Sequence, residues 1–106
     1  MEKITSIDSV SLGESKSFKI RDKEILIANV DGRFYAIDNR CSHMGGDLSK
    51  GSLEGDIVTC PRHGSRFNVR TGESVKGPKI LIINLKTKNL NSYPLTIQEN
   101  YIMIEI

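Results

Sequence analysis

The feature that most constrains this chain is the placement of its only two cysteines and its only two histidines. Cys41 is followed by His43, and Cys60 is followed by His63. Sixteen residues, from Met44 to Thr59, separate the two pairs. Residues of these rare types would seldom fall this way by chance, so the pairs indicate one site to which two short segments each contribute a cysteine and a histidine.

A disulfide and a zinc ion are the alternatives that these residues leave open. A bond between Cys41 and Cys60 would leave both histidines unexplained, and a reducing cytoplasm disfavours it. Two thiolates and two imidazoles also suit tetrahedral zinc. In common zinc sites of this composition, however, the cysteines form one close pair and the histidines another. One cysteine and one histidine in each segment suit a two-iron cluster better, with one iron on the cysteines and the other on the histidines.

The rest of the sequence predicts an all-β protein. Short runs that alternate in polarity or are rich in Ile, Val, Leu and Phe are separated by turn residues. The predicted strands are residues 3–7, 15–20, 24–30, 33–38, 56–59, 65–69, 80–86, 89–94 and 101–106. Asp31-Gly32 predicts a two-residue type I′ hairpin, because both residues tolerate positive φ. Thr71-Gly72 and residues 53–56 are interpreted as further turns, and no helical period predicts a long helix.

Both Cys/His pairs fall in breaks of this strand pattern. Each is a glycine-containing segment that follows a predicted strand, where the backbone can approach a small anionic group. Cys41 and His43, two residues apart, share one side of an extended segment. Pro61 favours a turn that brings His63 back beside Cys60. A β-hairpin spanning the sixteen intervening residues would place the two loops side by side.

Length and charge limit the classes of function. A chain of 106 residues allows one domain. It has no apolar run near the roughly 20 residues of a membrane span and no secretory signal at its start, so we expect a cytoplasmic protein without a membrane partner. The formal net charge of +2 comes from scattered Lys and Arg residues, which argues against nucleic-acid binding.

The cysteine and histidine spacing resembles the Rieske iron–sulfur pattern, and the similarity extends over most of the chain. Matching residues around the pairs are Gly45, Pro61, Gly64, Arg66-Phe67-Asn68, Thr71-Gly72 and Gly77-Pro78. The resemblance implies a single Rieske domain over residues 1–106, with antiparallel sheets and a small cluster-binding part at about residues 40–78. It also implies one [2Fe–2S] cluster per chain, held by Cys41, His43, Cys60 and His63.

Within that family, the sequence is similar to stand-alone ferredoxins that serve aromatic-ring dioxygenases. The resemblance implies a one-electron carrier between a flavin-dependent reductase and a terminal oxygenase or other redox enzyme, with transient contacts. It implies no enzymatic activity. The sequence agrees, because it has no dinucleotide loop and no histidine left for a mononuclear iron site. A carrier in another pathway, an accessory subunit resembling that of nitrite reductase and a redox sensor remain alternatives.

Departures from the family pattern predict the redox potential. Respiratory members have a second cysteine pair that locks the loops, and those positions match Gly46 and Arg62 here. Ser65 matches a serine near the cluster sulfurs, whereas Phe67 stands where high-potential members have a tyrosine. Losing that hydroxyl donor disfavours the reduced state, so we expect a potential in the lower half of roughly −150 to +300 mV.

The remaining residues near the two pairs are expected to have simpler roles. Met44 is interpreted as shielding the cluster from water, and Asp47 and Asp56 as turn residues rather than ligands. Arg62, between the second cysteine and histidine, is expected at the exposed edge, where it and neighbouring basic residues would help to dock an acidic partner.

Overall fold

The computed structural model describes residues 1–42, 45–62, 64–75 and 88–106. The predicted ligands His43 and His63, together with Met44, Gly77-Pro78 and the predicted strand 80–86, lie outside these residues. The described residues form two short 3₁₀ helices, Ile7–Ser9 and Leu48–Lys50, and eleven strands. The strands are β1 (Glu2–Ser6), β2 (Ser15–Ile20), β3 (Lys23–Val30), β4 (Arg33–Asp38), β5 (Ser52–Glu54), β6 (Ile57–Thr59), β7 (Arg66–Asn68), β8 (Ser74–Val75), β9 (Ser92–Tyr93), β10 (Leu95–Gln98) and β11 (Tyr101–Ile104).

These strands form three antiparallel sheets. The terminal sheet has the order β1-β11-β10, the central sheet β2-β3-β4-β9, and the cysteine-side sheet β5-β6-β7-β8. The all-β prediction is therefore confirmed for the described residues. Across the same residues, no helix is long and apolar enough to cross a membrane.

Strand β3 organises the interior because both of its faces are buried. Successive side chains of a strand point to opposite faces. Leu26, Ala28 and Val30 accordingly enter one hydrophobic cluster, the cysteine-side core, which also contains both cysteines and Phe67. Ile25 and Ile27 enter a second cluster, the terminal-side core, with side chains of β11. The nearly continuous apolar run of β3 is typical of a strand covered on both sides.

The turn at Asp31-Gly32 and the bounds of two strands agree with the sequence prediction. Asp31 and Gly32 have φ angles of 54° and 90°, as a type I′ turn requires, and Val30 pairs with Arg33 across them. The predicted strands 15–20 and 33–38 have these bounds in the structure.

The interpretation of residues 53–56 as a turn is wrong in part. Only Gly55 and Asp56 make the turn, while Leu53 pairs with Val58 in β5. Strands β8 and β10 were also missed by the sequence prediction. The predicted strand 89–94 shortens to β9, because Leu90 donates its N–H to Gly72 instead of to a strand.

A tyrosine hydroxyl attaches the short strand β9 to the strand that leads into the first cysteine. Tyr93 Oη donates a hydrogen bond of 2.6 Å to Asp38 Oδ1, and the Asn91 N–H donates one of 3.0 Å to Asp38 Oδ2. Partial burial, followed by the hydrogen bond to Asp38, raises the pKa of Tyr93 to about 12. The protonated hydroxyl is therefore the form that stabilises the fold.

This contact predicts a specific loss of stability at alkaline pH. The folded-state pKa of Tyr93 lies above its ordinary value of 10, so its stabilising effect is complete below pH 10 and disappears as the pH rises towards about 12. Tyr93→Phe should lower the unfolding free energy by about 1 kcal/mol at pH 8 and flatten its decline above pH 10. Urea unfolding at pH 8–11.5 measures both effects, with Tyr101→Phe as the control. Equal alkaline slopes for the wild type and Tyr93→Phe would refute this prediction.

Candidate metal centre

Two loops of the same backbone design carry the two cysteines. In the first, over residues 41–46, Cys41 donates its N–H to Gly46 O at 2.8 Å and accepts the Gly45 N–H at 2.8 Å. In the second, over residues 60–65, Cys60 donates to Ser65 O at 2.7 Å and accepts the Gly64 N–H at 3.1 Å. The two bonds join equivalent positions in each loop, so the loops present their cysteines in the same way.

A glycine with positive φ occupies the same position in both loops. Gly45 has a φ of 72° and Gly64 a φ of 77°, a region that side chains with a Cβ atom rarely adopt. Each glycine is the fourth residue after its cysteine, and its N–H is the donor that closes the loop on that cysteine. The glycines that the sequence places beside both Cys/His pairs therefore have a defined conformational role.

Both cysteines are buried at the base of their loops. Cys41 is 4% exposed and Cys60 is 3% exposed, and both pack in the cysteine-side core. Within the described part of the chain, no disulfide joins them. The disulfide alternative therefore does not describe this structure, and the two sulfur atoms are held at the boundary between the core and the loop pair.

The two loops lie against each other, as the hairpin prediction required. Strands β5 and β6 form that hairpin, with Ser52 opposite Thr59. A Cβ atom added to Gly46 of the first loop would lie 2.6 Å from Cys60 Sγ and 3.4 Å from Arg62 Cδ of the second. Gly46 and Arg62 are the two positions that match the loop-locking cysteines of respiratory members. Here a glycine faces the stem of an arginine.

A buried amide anchors the end of the first loop to the central sheet. Asn39 is fully buried, and its Nδ2 donates to Asp47 Oδ1 at 2.8 Å while its Oδ1 accepts the Ser49 N–H at 3.0 Å. The Ser49 hydroxyl donates to the same Asp47 oxygen. The hydrogen bonds from Ser49 and Asn39 lower the pKa of Asp47 against the opposing effect of partial burial. Asp47 was predicted to be a turn residue; its backbone is extended and bridges to Arg40, and its side chain caps the 3₁₀ helix at Leu48–Lys50.

Arg40 ties the first loop to strand β3. Its Nε and Nη2 each lie 3.0 Å from Glu24 Oε1, and its Nη1 donates to Gly45 O at 3.2 Å. The hydrogen bond and the negative charge of Glu24 raise the pKa of Arg40, so its guanidinium remains charged. Sequence reasoning missed both Asn39 and Arg40, because their partners are distant in the chain and neither belongs to a recognised motif.

A residue from a distant part of the chain contacts the first loop. Ser42 Oγ donates a hydrogen bond of 2.5 Å to Lys88 O, which joins residues 46 positions apart. The segment that contains Lys88 continues into Leu90, whose N–H bonds to Gly72 O at 2.7 Å. The segment therefore contacts both the first cysteine loop and the turn after β7.

Two other residues singled out by the sequence have clear positions. Phe67 is fully buried in the cysteine-side core with both cysteines. Asp56 lies in the turn of the β5–β6 hairpin, where its carboxylate is 3.5 Å from Arg70 Nε. Phe67 thus occupies a place from which a side chain can influence the metal centre, and Asp56 is a turn residue as predicted.

The described part of this site fits an iron–sulfur cluster. Two buried sulfur donors come from two matching loops, and the missing side chain of Gly46 lets the first loop lie against one of them. Soft thiolate ligands suit iron–sulfur clusters as well as zinc. With one cysteine on each loop, both loops would hold the same cluster.

Comparison with known proteins identifies the family. The profile of the Rieske [2Fe-2S] domain matches residues 2–94. The chain is 34% identical over 100 residues to the ferredoxin component of the naphthalene 1,2-dioxygenase/salicylate 5-hydroxylase systems of Ralstonia sp. That match covers 94% of this chain and 89% of the relative.

Solved structures give the same result. The ferredoxin of Sphingomonas yanoikuyae B1 superposes with a TM-score of 0.86 at 28% identity, over 98% of this chain and 96% of that one. A chain in a structure described as a complex of reduced oxygenase and oxidized ferredoxin in carbazole 1,9a-dioxygenase has a TM-score of 0.83 at 27% identity. This match covers 97% of the present chain and 99% of the other.

The chain belongs to the Rieske [2Fe-2S] domain family, and its cofactor is a [2Fe–2S] cluster. Its relatives are ferredoxin components, which are electron-transfer subunits rather than catalytic oxygenases. The protein is accordingly a Rieske electron carrier and not an enzyme, as the resemblance implied.

The contact between the loops predicts that Gly46→Ala disturbs cluster assembly. The new Cβ would lie 2.6 Å from Cys60 Sγ, closer than real Cβ contacts allow, although the backbone φ at Gly46 is not in the left-handed region. Iron and sulfide content per chain, with the visible absorption spectrum, should show a loss of more than half of the cluster.

Gly45→Ala is the matched control for this prediction. Its Cβ would meet open space, but its positive φ should cost roughly 1–2 kcal/mol of stability. This variant should keep its cluster and unfold at lower urea concentration. A Gly46→Ala protein with full iron content and an unchanged spectrum would show that the approach of the loops is not critical.

Proposed function

We propose that this chain carries single electrons from a flavin-dependent reductase to a terminal oxygenase. The observation that supports the proposal most directly is the pair of matching loops that bury Cys41 and Cys60 in one hydrophobic core. The names of the relatives support the oxygenase as acceptor, since they are components of dioxygenase systems. The bound cluster supplies the chemistry by accepting one electron and releasing it again.

The ligand set of the proposal is Cys41 and Cys60 on one iron and His43 and His63 on the other. Two ferric ions, two sulfides and two thiolates sum to zero charge when both imidazoles are neutral. Four thiolates would make the site more negative by two charges. The mixed ligand set therefore favours electron uptake relative to an all-cysteine cluster. Burial of both cysteines keeps water away from the sulfur ligands, which also affects the potential.

The proposal extends to the organisation and location of the chain. Residues 1–106 are proposed to form a single Rieske domain, with the cluster-binding part at about residues 40–78. Support comes from strand β3, whose two faces pack in the two hydrophobic cores. The family match over residues 2–94 supports it as well. We propose a cytoplasmic location and transient partner contacts, as the sequence predicts.

The ligand assignment predicts that each of four substitutions abolishes the cluster. Cys41→Ala, Cys60→Ala, His43→Ala and His63→Ala should each lose the visible absorption and the rhombic EPR signal of the reduced protein. The wild type should contain two irons and two sulfides per chain. In the wild type with ¹⁵N-labelled histidine, the EPR signal of the reduced cluster should show coupling to two imidazole nitrogens.

Ser42→Ala and Arg62→Ala are controls for the ligand variants, because these residues adjoin proposed ligands without being ligands themselves. Both variants should keep the cluster. A colourless wild-type protein that contains one zinc ion would disprove the assignment, and coupling to a single imidazole would disprove the two-histidine set.

The buried phenyl ring of Phe67 predicts how the potential can be changed. The wild-type midpoint is expected in the lower half of roughly −150 to +300 mV. Phe67→Tyr adds a hydroxyl donor in the cysteine-side core and should raise the midpoint by about 60 mV, equivalent to 1.4 kcal/mol for one electron. Phe34→Tyr changes the terminal-side core instead and should leave the midpoint unchanged. A redox titration with equal values for all three proteins would contradict this role of Phe67.

Transfer to an oxygenase is tested by exchanging components. The chain is added to the reductase and oxygenase components of a biphenyl dioxygenase system from which the native ferredoxin is omitted. Product should form only with the loaded chain, and the Cys60→Ala protein should give none. If the chain is reduced and reoxidised reversibly but passes no electrons to the oxygenase, the carrier role remains and the proposed acceptor is wrong.

A further inference from the structure

Three exposed cations lie around the cysteine loops. Arg62 is exposed on the second loop, and its Cδ and Cys60 Sγ both lie within 3.5 Å of the Cβ position at Gly46. Lys88 is exposed, and its carbonyl is bonded to Ser42 of the first loop. Arg40 contacts the carbonyl of Gly45. We call Arg40, Arg62 and Lys88 the cationic rim.

Two acidic groups near the first loop accept hydrogen bonds from neighbouring side chains. The Glu24 carboxylate accepts from Arg40 and offsets the charge of that residue. Asp47 accepts hydrogen bonds from Asn39 and Ser49. Neither loop contains Asp or Glu in its sequence. The sequences of the two loops therefore contribute one cation, Arg62, and no acid.

The distribution of charge along the chain strengthens this local excess. Residues 57–98 include seven Lys or Arg and one acid, Glu73, a formal charge of +6. The rest of the chain has a formal charge of −4. The small net charge of +2 is therefore the sum of a basic stretch and an acidic remainder. The basic stretch contains the second cysteine loop.

We propose that the cationic rim docks a carboxylate-rich surface of the redox partner over the cluster. This inference rests on the proposed function and adds the chemistry of the partner's surface. A transient carrier needs its centre near the partner, and complementary charge speeds such encounters more than it tightens the complex. Because Arg62 lies on the second loop and Lys88 is bonded to the first, attraction to an acidic patch would bring the loop pair towards the acceptor.

The electrostatic field around the cluster is tested with two small oxidants, one an anion and the other a cation. The loaded protein is reduced with dithionite, freed of excess reductant and mixed with ferricyanide or with tris(phenanthroline)cobalt(III). One electron passes from the cluster to the oxidant, giving ferrocyanide or the cobalt(II) complex. Raising the ionic strength from about 0.01 to about 0.1 M shortens the Debye length from about 30 to about 10 Å. The rate with ferricyanide should fall about tenfold, and the rate with the cobalt complex should rise.

Two double variants separate local charge from net charge. Arg62→Glu/Lys88→Glu should reverse the salt dependence with both oxidants. Arg33→Glu/Lys16→Glu gives the same net charge of −2 at exposed positions on β4 and β2, and should keep the wild-type signs. Arg33 is at the end of β4 opposite to the first loop. Equal salt dependence in the two double variants would overturn the proposal.

A charge-preserving variant and a measurement of cluster content exclude effects that do not arise from charge. Arg62→Lys/Lys88→Arg preserves both charges and should preserve the wild-type rates, whereas a loss in this variant would show that charge is not the cause. The visible spectrum of each variant reports cluster content, and rates are normalised to it. If the wild type accepts no electron from dithionite, the proposed function fails. If it accepts electrons but shows no salt dependence, only the docking proposal fails.

Direct binding identifies the chemistry of the partner. Isothermal titration calorimetry with poly-L-glutamate should show binding at low ionic strength that is lost in Arg62→Glu/Lys88→Glu and kept in Arg33→Glu/Lys16→Glu. Duplex DNA is titrated in parallel as a phosphate-rich polyanion. Tighter binding of the duplex than of poly-L-glutamate would contradict an acidic protein surface as the partner, and absence of binding to poly-L-glutamate would overturn the proposal.

Discussion

The close approach of Gly46 to the Cys60 thiol is the constraint on which the metal centre depends. The contact exists because the β5–β6 hairpin returns the chain to the point where the first loop ended. Each loop is closed on its own cysteine by two backbone hydrogen bonds, so the loops meet as preformed units. The position of the thiols is then determined by the packing of one loop on the other, with no room for a side chain between them.

The central sheet makes this local geometry part of the whole fold. One face of β3 packs in the core that contains the cysteines, and the other face packs against the terminal sheet. Asn39 and Arg40, which follow β4, extend that support to the first loop through Asp47 and Gly45. A substitution that distorts the central sheet should therefore also displace the thiols, because packed interiors transmit strain.

Local signals explain what could be predicted from the sequence. The turn at Asp31-Gly32 was predicted correctly because its positive φ angles depend on those two residues alone. The cysteines were recognised because their residue type is rare and their spacing is specific. The Asn39 and Arg40 contacts were not foreseen, since their partners Asp47 and Glu24 lie 8 and 16 positions away. Only the folded chain brings such groups together. Strand β5 was missed for a related reason, because Leu53 is a strand residue only through its pairing with Val58.

The noncovalent contact between Gly46 and Arg62 has a further consequence for where this carrier can operate. In the described residues, Gly46 of the first loop lies against Cys60 and the stem of Arg62, and no disulfide joins the loops. A structural disulfide has its own reduction potential and responds to the glutathione and thioredoxin balance around it. Within the described residues, the loop pair has no such bond to break. The contact between Gly46 and the Arg62 stem therefore does not depend on keeping a disulfide oxidised, unlike a loop pair that a disulfide locks.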